Sequence, residues 1–306
     1  RTQFKLDLNG ALISLDTNSA SIKSLVGGLD YSKSQFNRAI KAERQMGSIF
    51  KPLILAKALE KNIKLTDVLI DEPTTFEFEG QLWAPNNYNN SFEGPMTLAY
   101  ALSRSNNIII IKTLLSTGIA PVVDLARNCG INISNAYPSL ALGCVDSSLI
   151  QAAAMFNVFV NSGNYSKPYI INWIKDEWGQ KIYQHKQNYI NVIDPKINSQ
   201  VAKALTIAMK RYEASMKDKG PDKWLKSEII GKTGTTNDVR TCWFVGSTPE
   251  LTTAVYIGLD DNSPMGDRAF PIHTAFPIWL DFNRKTEKTK KTFNYHPSLV
   301  TKYFNQ

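Results

Sequence analysis

Arg44-Gln45-Met46-Gly47-Ser48-Ile49-Phe50-Lys51-Pro52 leads into Leu53-Ile54-Leu55-Ala56-Lys57-Ala58-Leu59-Glu60-Lys61. Pro52, Leu53, Leu55, Ala56 and Leu59 form an apolar face of helical period, so residues 48–61 read as a helix. Pro52 fits its first turn, where no intrahelical N–H partner is lost. Ser48 and Lys51, three residues apart, fall on one side of that helix. This is the one Ser-x-x-Lys in the chain. A hydroxyl beside an amine can form a nucleophile without histidine, provided the amine is held neutral.

Strands are read on both sides of this helix. Residues 11–16 and 21–28 are two β-rich runs around a polar turn at 17–20, an antiparallel hairpin. Residues 30–43 read as a loop and 66–90 as irregular. Helices are expected at 97–102 and 107–115, meeting near Ser105, and at 121–129, 147–160 and 198–212. A small hairpin is expected over 169–183. Ile229-Ile230-Gly231-Lys232-Thr233-Gly234-Thr235 reads as a strand, followed by strands at 241–246 and 252–258 and a helix near 274–282. Strands at both ends, about 11–28 and 228–282, thus enclose a mainly helical middle over about 48–215. Residues 1–282 form the domain. Residues 283–306 read as a polar, basic and mobile tail.

Composition excludes more than it assigns. The chain has 306 residues, 43% hydrophobic and 20% charged, with net charge +8. The charge is read first as a solvated basic surface, and second as attraction to anionic envelope polymers or lipid headgroups. The basic residues are scattered without an aromatic module, so no nucleic-acid partner is expected. His185, His273 and His296 lack ligand spacing, and no metal or cofactor is expected. Cys129, Cys144 and Cys242 read as free buried thiols, with a Cys129–Cys144 disulfide left open. No apolar run is long enough to span a membrane. Arg1 is no initiator methionine, so the chain is expected to be a fragment or a processed product.

Two further patterns complete the chemistry. Ser105 in Ser105-Asn106-Asn107 is a second hydroxyl, suited to relaying a proton, and the Asn107 amide can hold a peptide bond. Lys232 offers a positive charge to a substrate carboxylate, and it would lower the pKa of a nearby Lys51. Thr233 and Thr235 add hydroxyl donors, and Gly234 leaves room for a substrate backbone along the strand. The backbone N–H groups of Ser48 and Thr235 are candidates for an oxyanion hole.

The extended pattern resembles the transpeptidase domain of class A penicillin-binding proteins. The resemblance rests on the segments at 27–39 and 44–52, and on Trp83-Ala84-Pro85-Asn86-Asn87-Tyr88. It also rests on Ala101-Leu102-Ser103-Arg104-Ser105-Asn106-Asn107, Ser139-Leu140-Ala141-Leu142-Gly143 and Gly231-Lys232-Thr233-Gly234-Thr235-Thr236-Asn237-Asp238. It implies an α/β fold of the α+β type, penicillin-binding-protein/β-lactamase-like: a central antiparallel sheet flanked by helices with a mainly helical subdomain, and the active site between sheet and helical part. It implies Ser48 as acyl-enzyme nucleophile, Lys51 as base and Ser105 as relay, with Asn107, Lys232, Thr233, Gly234 and Thr235 binding substrate. The implied donor is a peptidoglycan stem peptide ending in D-Ala-D-Ala. β-Lactams would acylate Ser48. Other cell-wall synthesis proteins are implied as partners, and an extracytoplasmic, membrane-anchored setting follows, with anchor and glycosyltransferase domain preceding Arg1. Met46 stands where the family usually has proline, Thr241 where an acid is frequent, and Pro271-Ile272-His273-Thr274 lacks the usual glycines. A D,D-carboxypeptidase, a serine β-lactamase and a non-enzymatic β-lactam or wall-peptide sensor would share these motifs.

Overall fold

A computed structural model describes residues 8–218, 220, 223–236, 239–266 and 269–300. In chain order come β1 (Leu8–Asp16), β2 (Ile22–Val26), α1 (Lys51–Glu60), β3 (Val68–Asp71), β4 (Gly94–Thr97), α2 (Leu98–Arg104), α3 (Asn107–Thr117), α4 (Ile119–Asn128), α5 (Leu149–Asn157), α6 (Pro195–Lys217), β5 (Ile230–Thr235), β6 (Thr241–Ser247), β7 (Leu251–Leu259) and α7 (Ala275–Thr286). The main sheet has the order β5-β6-β7-β1-β2. β1 pairs antiparallel with β7 from Leu8↔Leu259 to Asp16↔Leu251, so the start of the described chain is sealed into strands from its last third.

Alternation along the strands sorts side chains into two layers. In β6, Trp243 and Val245 face the large core with Ile13, Leu15 and α5, while Phe244 faces α7. Phe244 packs between Phe276 and Trp279 at ring-centroid distances of 4.8 and 5.1 Å. Trp279 Nε1 donates to the carbonyls of Gly246 and Thr253 at 3.2 and 3.0 Å. A β-carbon at Gly246 would lie 3.0 Å from that indole. Each large apolar side chain buried this way contributes about 1.5–3 kcal/mol relative to exposure. On the other face α5 is tied to the sheet through Asn157, whose Nδ2 donates to Thr17 O at 3.0 Å and whose Oδ1 accepts from Thr252 Oγ1 at 2.6 Å.

Several local expectations change. α6 begins at Pro195, three residues before the expected start, because proline suits a first helical turn and Asp194 caps it through its side chain. The stretch read as irregular holds short strands: β3 pairs with β4, and Phe76–Phe78 pairs with Gln81–Trp83. Their side chains are mostly exposed, so no alternation marks them. The loop read over 30–43 contains a short helix, Arg38–Lys41, capped by Asn37. Arg38 is buried and pairs with Asp260.

The tail expected from residue 283 is not detached at that point. α7 continues to Thr286, and Asn283 is buried in it. Beyond it, Lys291 O accepts from Glu228 N at 2.9 Å, while Phe293 N and the Tyr295 hydroxyl donate to the Glu228 carboxylate at 3.2 and 2.8 Å. The lysines masked this anchoring, which runs through backbone groups and two aromatic residues. All three cysteines are free thiols. Cys129 and Cys242 are buried as expected, but Cys144 is exposed.

Candidate active site

Ser48 sits in a 3-10 turn, Gly47–Phe50, that runs directly into α1. The expected helix start is therefore tighter than α. Gly47 has φ +56°, and its N–H donates to Gly143 O at 3.1 Å. A β-carbon on Gly47 would lie 2.7 Å from Thr235 O. On Gly143, itself at φ +73°, it would lie 1.8 Å from Gly47 O. Two glycines thus let the Ser48 turn press against the 143 loop on one side and β5 on the other. Ser48 N–H lies in a first turn, where such groups have no intrahelical partner, and Thr235 runs alongside.

Ser105 is held where two helices meet. Thr97 caps α2, Asn106 caps α3, and Ser105 between them takes the left-handed conformation, φ 57° and ψ 33°. That geometry costs a non-glycine residue about 1–2 kcal/mol. It turns Ser105 toward the lysines.

Lys51 is fully buried. Its Nζ donates to Ser105 O at 2.7 Å, Asn107 Oδ1 at 2.8 Å and Asn106 O at 3.2 Å, and lies 3.5 Å from Ser105 Oγ. Burial, and then the charge of Lys232, push its pKa well below the ordinary lysine value. Lys232, 4% exposed, donates to Ser105 Oγ at 2.9 Å and to Thr233 O at 3.2 Å. Burial alone brings its pKa down to about 7. One serine oxygen is thus shared by two amines that desolvation drives toward neutrality. The hydrogen bonds of Lys51 Nζ all run to the 105–107 segment rather than to Ser48.

The cleft has a volume of about 420 Å³ and is lined by Ser48, Ser105, Asn107, Lys232, Thr233 and Thr235 among others. β5 is the outer strand of the sheet, so its far edge faces this cleft. Such an edge can accept an extended peptide as a further strand. Gly234 departs from its expected role. It is buried, and a β-carbon there would meet Met46 O at 2.5 Å and Ile49 Cδ1 at 2.9 Å. Its lack of a side chain makes room for the Ser48 turn. Asn237 and Asp238, at the end of the third motif, lie outside the described residues.

Other cleft residues were not singled out as site residues from the sequence. Tyr88 and Phe270 meet edge-on across the cleft at 5.7 Å. Arg104 donates to Glu93 Oε1 at 3.2 and 3.0 Å. Gly143 closes the Ser139–Gly143 motif, and its positive φ has no mark in the residue type.

A family model described as the penicillin binding protein transpeptidase domain matches residues 10–269. The chain belongs to this family. It is 34% identical over 294 residues to penicillin-binding protein 1A of Neisseria gonorrhoeae, covering 93% of this chain and 36% of that protein. Against penicillin-binding protein 1A of Aquifex aeolicus the identity is 33%, covering 92% of this chain and 38% of that one. The chain thus spans little more than a third of these relatives. The crystal structure of penicillin-binding protein 1A from Haemophilus influenzae superposes with a TM-score of 0.88 at 29% identity, over 96% of this chain and 50% of that one. This penicillin-binding transpeptidase domain has the mixed fold, central antiparallel sheet flanked by helices, that the motifs implied.

Proposed function

We propose that this domain is a serine D,D-transpeptidase of peptidoglycan synthesis. The observation that carries the reading is the meeting of Lys51 Nζ and Lys232 Nζ at Ser105 Oγ, in the cleft that Ser48 also lines. Ser48 Oγ attacks the carbonyl of the penultimate D-Ala of a stem peptide, and its proton passes to neutral Lys51. The N–H groups of Ser48 and Thr235 receive the developing oxyanion. One such donor is worth about 3 kcal/mol in the transition state. The peptide C–N bond breaks, Ser105 relays the proton to the leaving amine, and free D-Ala departs. Lys232, with the Thr233 and Thr235 hydroxyls, holds the terminal carboxylate, and Asn107 orients the peptide. An amine of a neighbouring strand then attacks the ester, forming the cross-link and releasing Ser48. β-Lactams acylate the same oxygen.

The acyl-enzyme is passed to an amine rather than to water. Glu228, Glu177 and Glu213 are the glutamates between the second and third motifs. Glu228 is engaged by Phe293 N and Tyr295, and Glu177 lies by the turn of the exposed 173–184 hairpin. The intact protein acts outside the cytoplasmic membrane, to which it is anchored, with other wall-synthesis proteins as partners. Intact mass after incubation with penicillin is the test. The wild-type chain should gain one adduct and Ser48→Ala none; an adduct on Ser48→Ala rejects the assignment. Rapid nitrocefin turnover by wild type would favour a β-lactamase instead.

A further inference from the structure

Asp71 closes β3 and is 1% exposed, yet among the described residues no cation pairs with it. Its neighbour Glu72 takes the nearby Lys112 instead. The two oxygens of Asp71 accept from Asn87 Nδ2 at 2.8 and 3.0 Å, and Oδ2 also accepts Glu93 N–H at 2.9 Å. Asn87 Nδ2 additionally donates to Ser91 O at 2.9 Å. With the amide nitrogen held on that side, Asn87 Oδ1 faces the other way and accepts Asn107 N–H at 2.9 Å. Asn107 in turn donates Nδ2 to Asn86 O at 2.9 Å, and its Oδ1 accepts Lys51 Nζ at 2.8 Å. A continuous chain of hydrogen bonds therefore runs from a buried carboxylate to the amine of the Ser-x-x-Lys pair.

A simple brace for the 84–93 loop would not need a charge. Burying an unpaired carboxylate costs several kcal/mol, and a neutral amide or hydroxyl could tie the same loop. What the carboxylate adds is polarity. It accepts only, so it permits one orientation of the Asn87 amide, whereas an amide at position 71 could donate or accept. Reversed, Asn87 would turn an N–H against the N–H of Asn107.

We propose that Asp71 and Asn87 are positioning residues for acylation: Asp71 fixes the polarity of the Asn87 amide, and Asn87 thereby sets Asn107 against Lys51. The inference rests on the transpeptidase reading above, but the placement of Lys51 can be measured without it. The groups facing Lys51 Nζ are the oxygens of Ser105, Asn106 and Asn107, together with the cation of Lys232 from β5. Loosening Asn107 removes an acceptor of the ammonium form, and removing the Asp71 charge acts in the same direction. Both lower the Lys51 midpoint.

The test compares Asp71→Asn with Asp71→Asn combined with Asn87→Asp, in which the carboxylate at 87 can accept from both Asn107 N–H and the new amide at 71. Two quantities are read: the saturating rate and half-saturating concentration for a fluorescent penicillin, and the Lys51 midpoint by 13Cε NMR titration. Asp71→Asn should lower the saturating rate by about tenfold to a hundredfold, leave half-saturation nearly unchanged, and move the Lys51 midpoint down. The swapped pair should return the rate to within about threefold of wild type, short of full recovery because the donor to Ser91 O is gone. A folded Asp71→Asn with wild-type rate and midpoint overturns the proposal. So does a swapped pair as slow as Asp71→Asn, since loss of a plain brace is not repaired by reversing polarity. If Asp71→Asn does not fold, the swapped pair decides by the same criterion. If wild type is not acylated, the transpeptidase reading fails, and the Lys51 midpoint alone then decides the positioning role.

Discussion

Lys232 and Lys51 share one oxygen, Ser105 Oγ, at 2.9 and 3.5 Å. One amine comes from the sheet and the other from the helical layer, so each charge is felt where the other must work. Lys232→Met removes a like charge beside Lys51, which makes Lys51 easier to protonate. The acid limb of acylation by labelled penicillin should move to higher pH, and half-saturation should rise about tenfold or more through loss of the carboxylate contact. A pH–rate profile of the variant reads both. An unmoved acid limb would mean that Lys232 does not tune Lys51.

The same substitution should stabilise the fold, with a definite pH dependence. The folded-state pKa of Lys232 is about 7, against an ordinary value of 10.5. Below about 7 the folded protein carries a buried ammonium, and the full cost is present. As pH rises from there toward 10.5 the unfolded chain binds more protons than the folded one, so the cost shrinks. Thermal midpoints of Lys232→Met and wild type should therefore differ most at pH 6 and converge as pH rises toward 10. A constant difference would place the effect in packing rather than ionisation.

Gly143→Ala should damage the site from behind. The new methyl would sit 1.8 Å from Gly47 O at a backbone φ of +73°. Strain in that conformation is of order 1–3 kcal/mol before the clash is counted. A lower unfolding midpoint, together with acylation slower than wild type at a temperature where the variant is folded, is the expected result. Gly266 also has positive φ, but a β-carbon there would meet nothing within 4 Å, so Gly266→Ala should leave acylation unchanged.

Thr241 and Arg44 line one cavity, and among the described residues Thr241 Oγ1 and Arg44 Nε are buried without hydrogen-bond partners. Each such atom costs about 1–3 kcal/mol. Thr241→Asp would bring a carboxylate to the guanidinium. The thermal midpoint should rise by about 2 °C. A midpoint that falls in differential scanning calorimetry would show the charge to be unpaired there.

The pattern of what could be read in advance follows from periodicity. β1, β6, β7 and the helices around Ser105 carry runs long enough to register, and the three motifs named Ser48, Lys51, Ser105, Asn107 and Lys232 by residue type. Asn87 lies in one of the motifs, but its link to Asp71 is not legible there, because the two are sixteen residues apart and joined only through one amide's orientation. Gly234 was assigned to the substrate because a strand glycine suggests close approach, whereas the approaching backbone is Met46 O. The tail misled through its lysines, while its attachment to Glu228 uses backbone groups and two aromatic residues.

β1 has its partner strand β7 more than two hundred residues downstream, and Lys232 reaches Ser105 across a separation of 127 residues. A chain emerging from its N-terminal end therefore exposes Ser48, Lys51 and Ser105 long before anything can complete them. If the proposed mechanism holds, reactivity toward penicillin should appear only once the two ends of the domain have met. Covalent labelling followed during refolding should then serve as a clock for sheet closure.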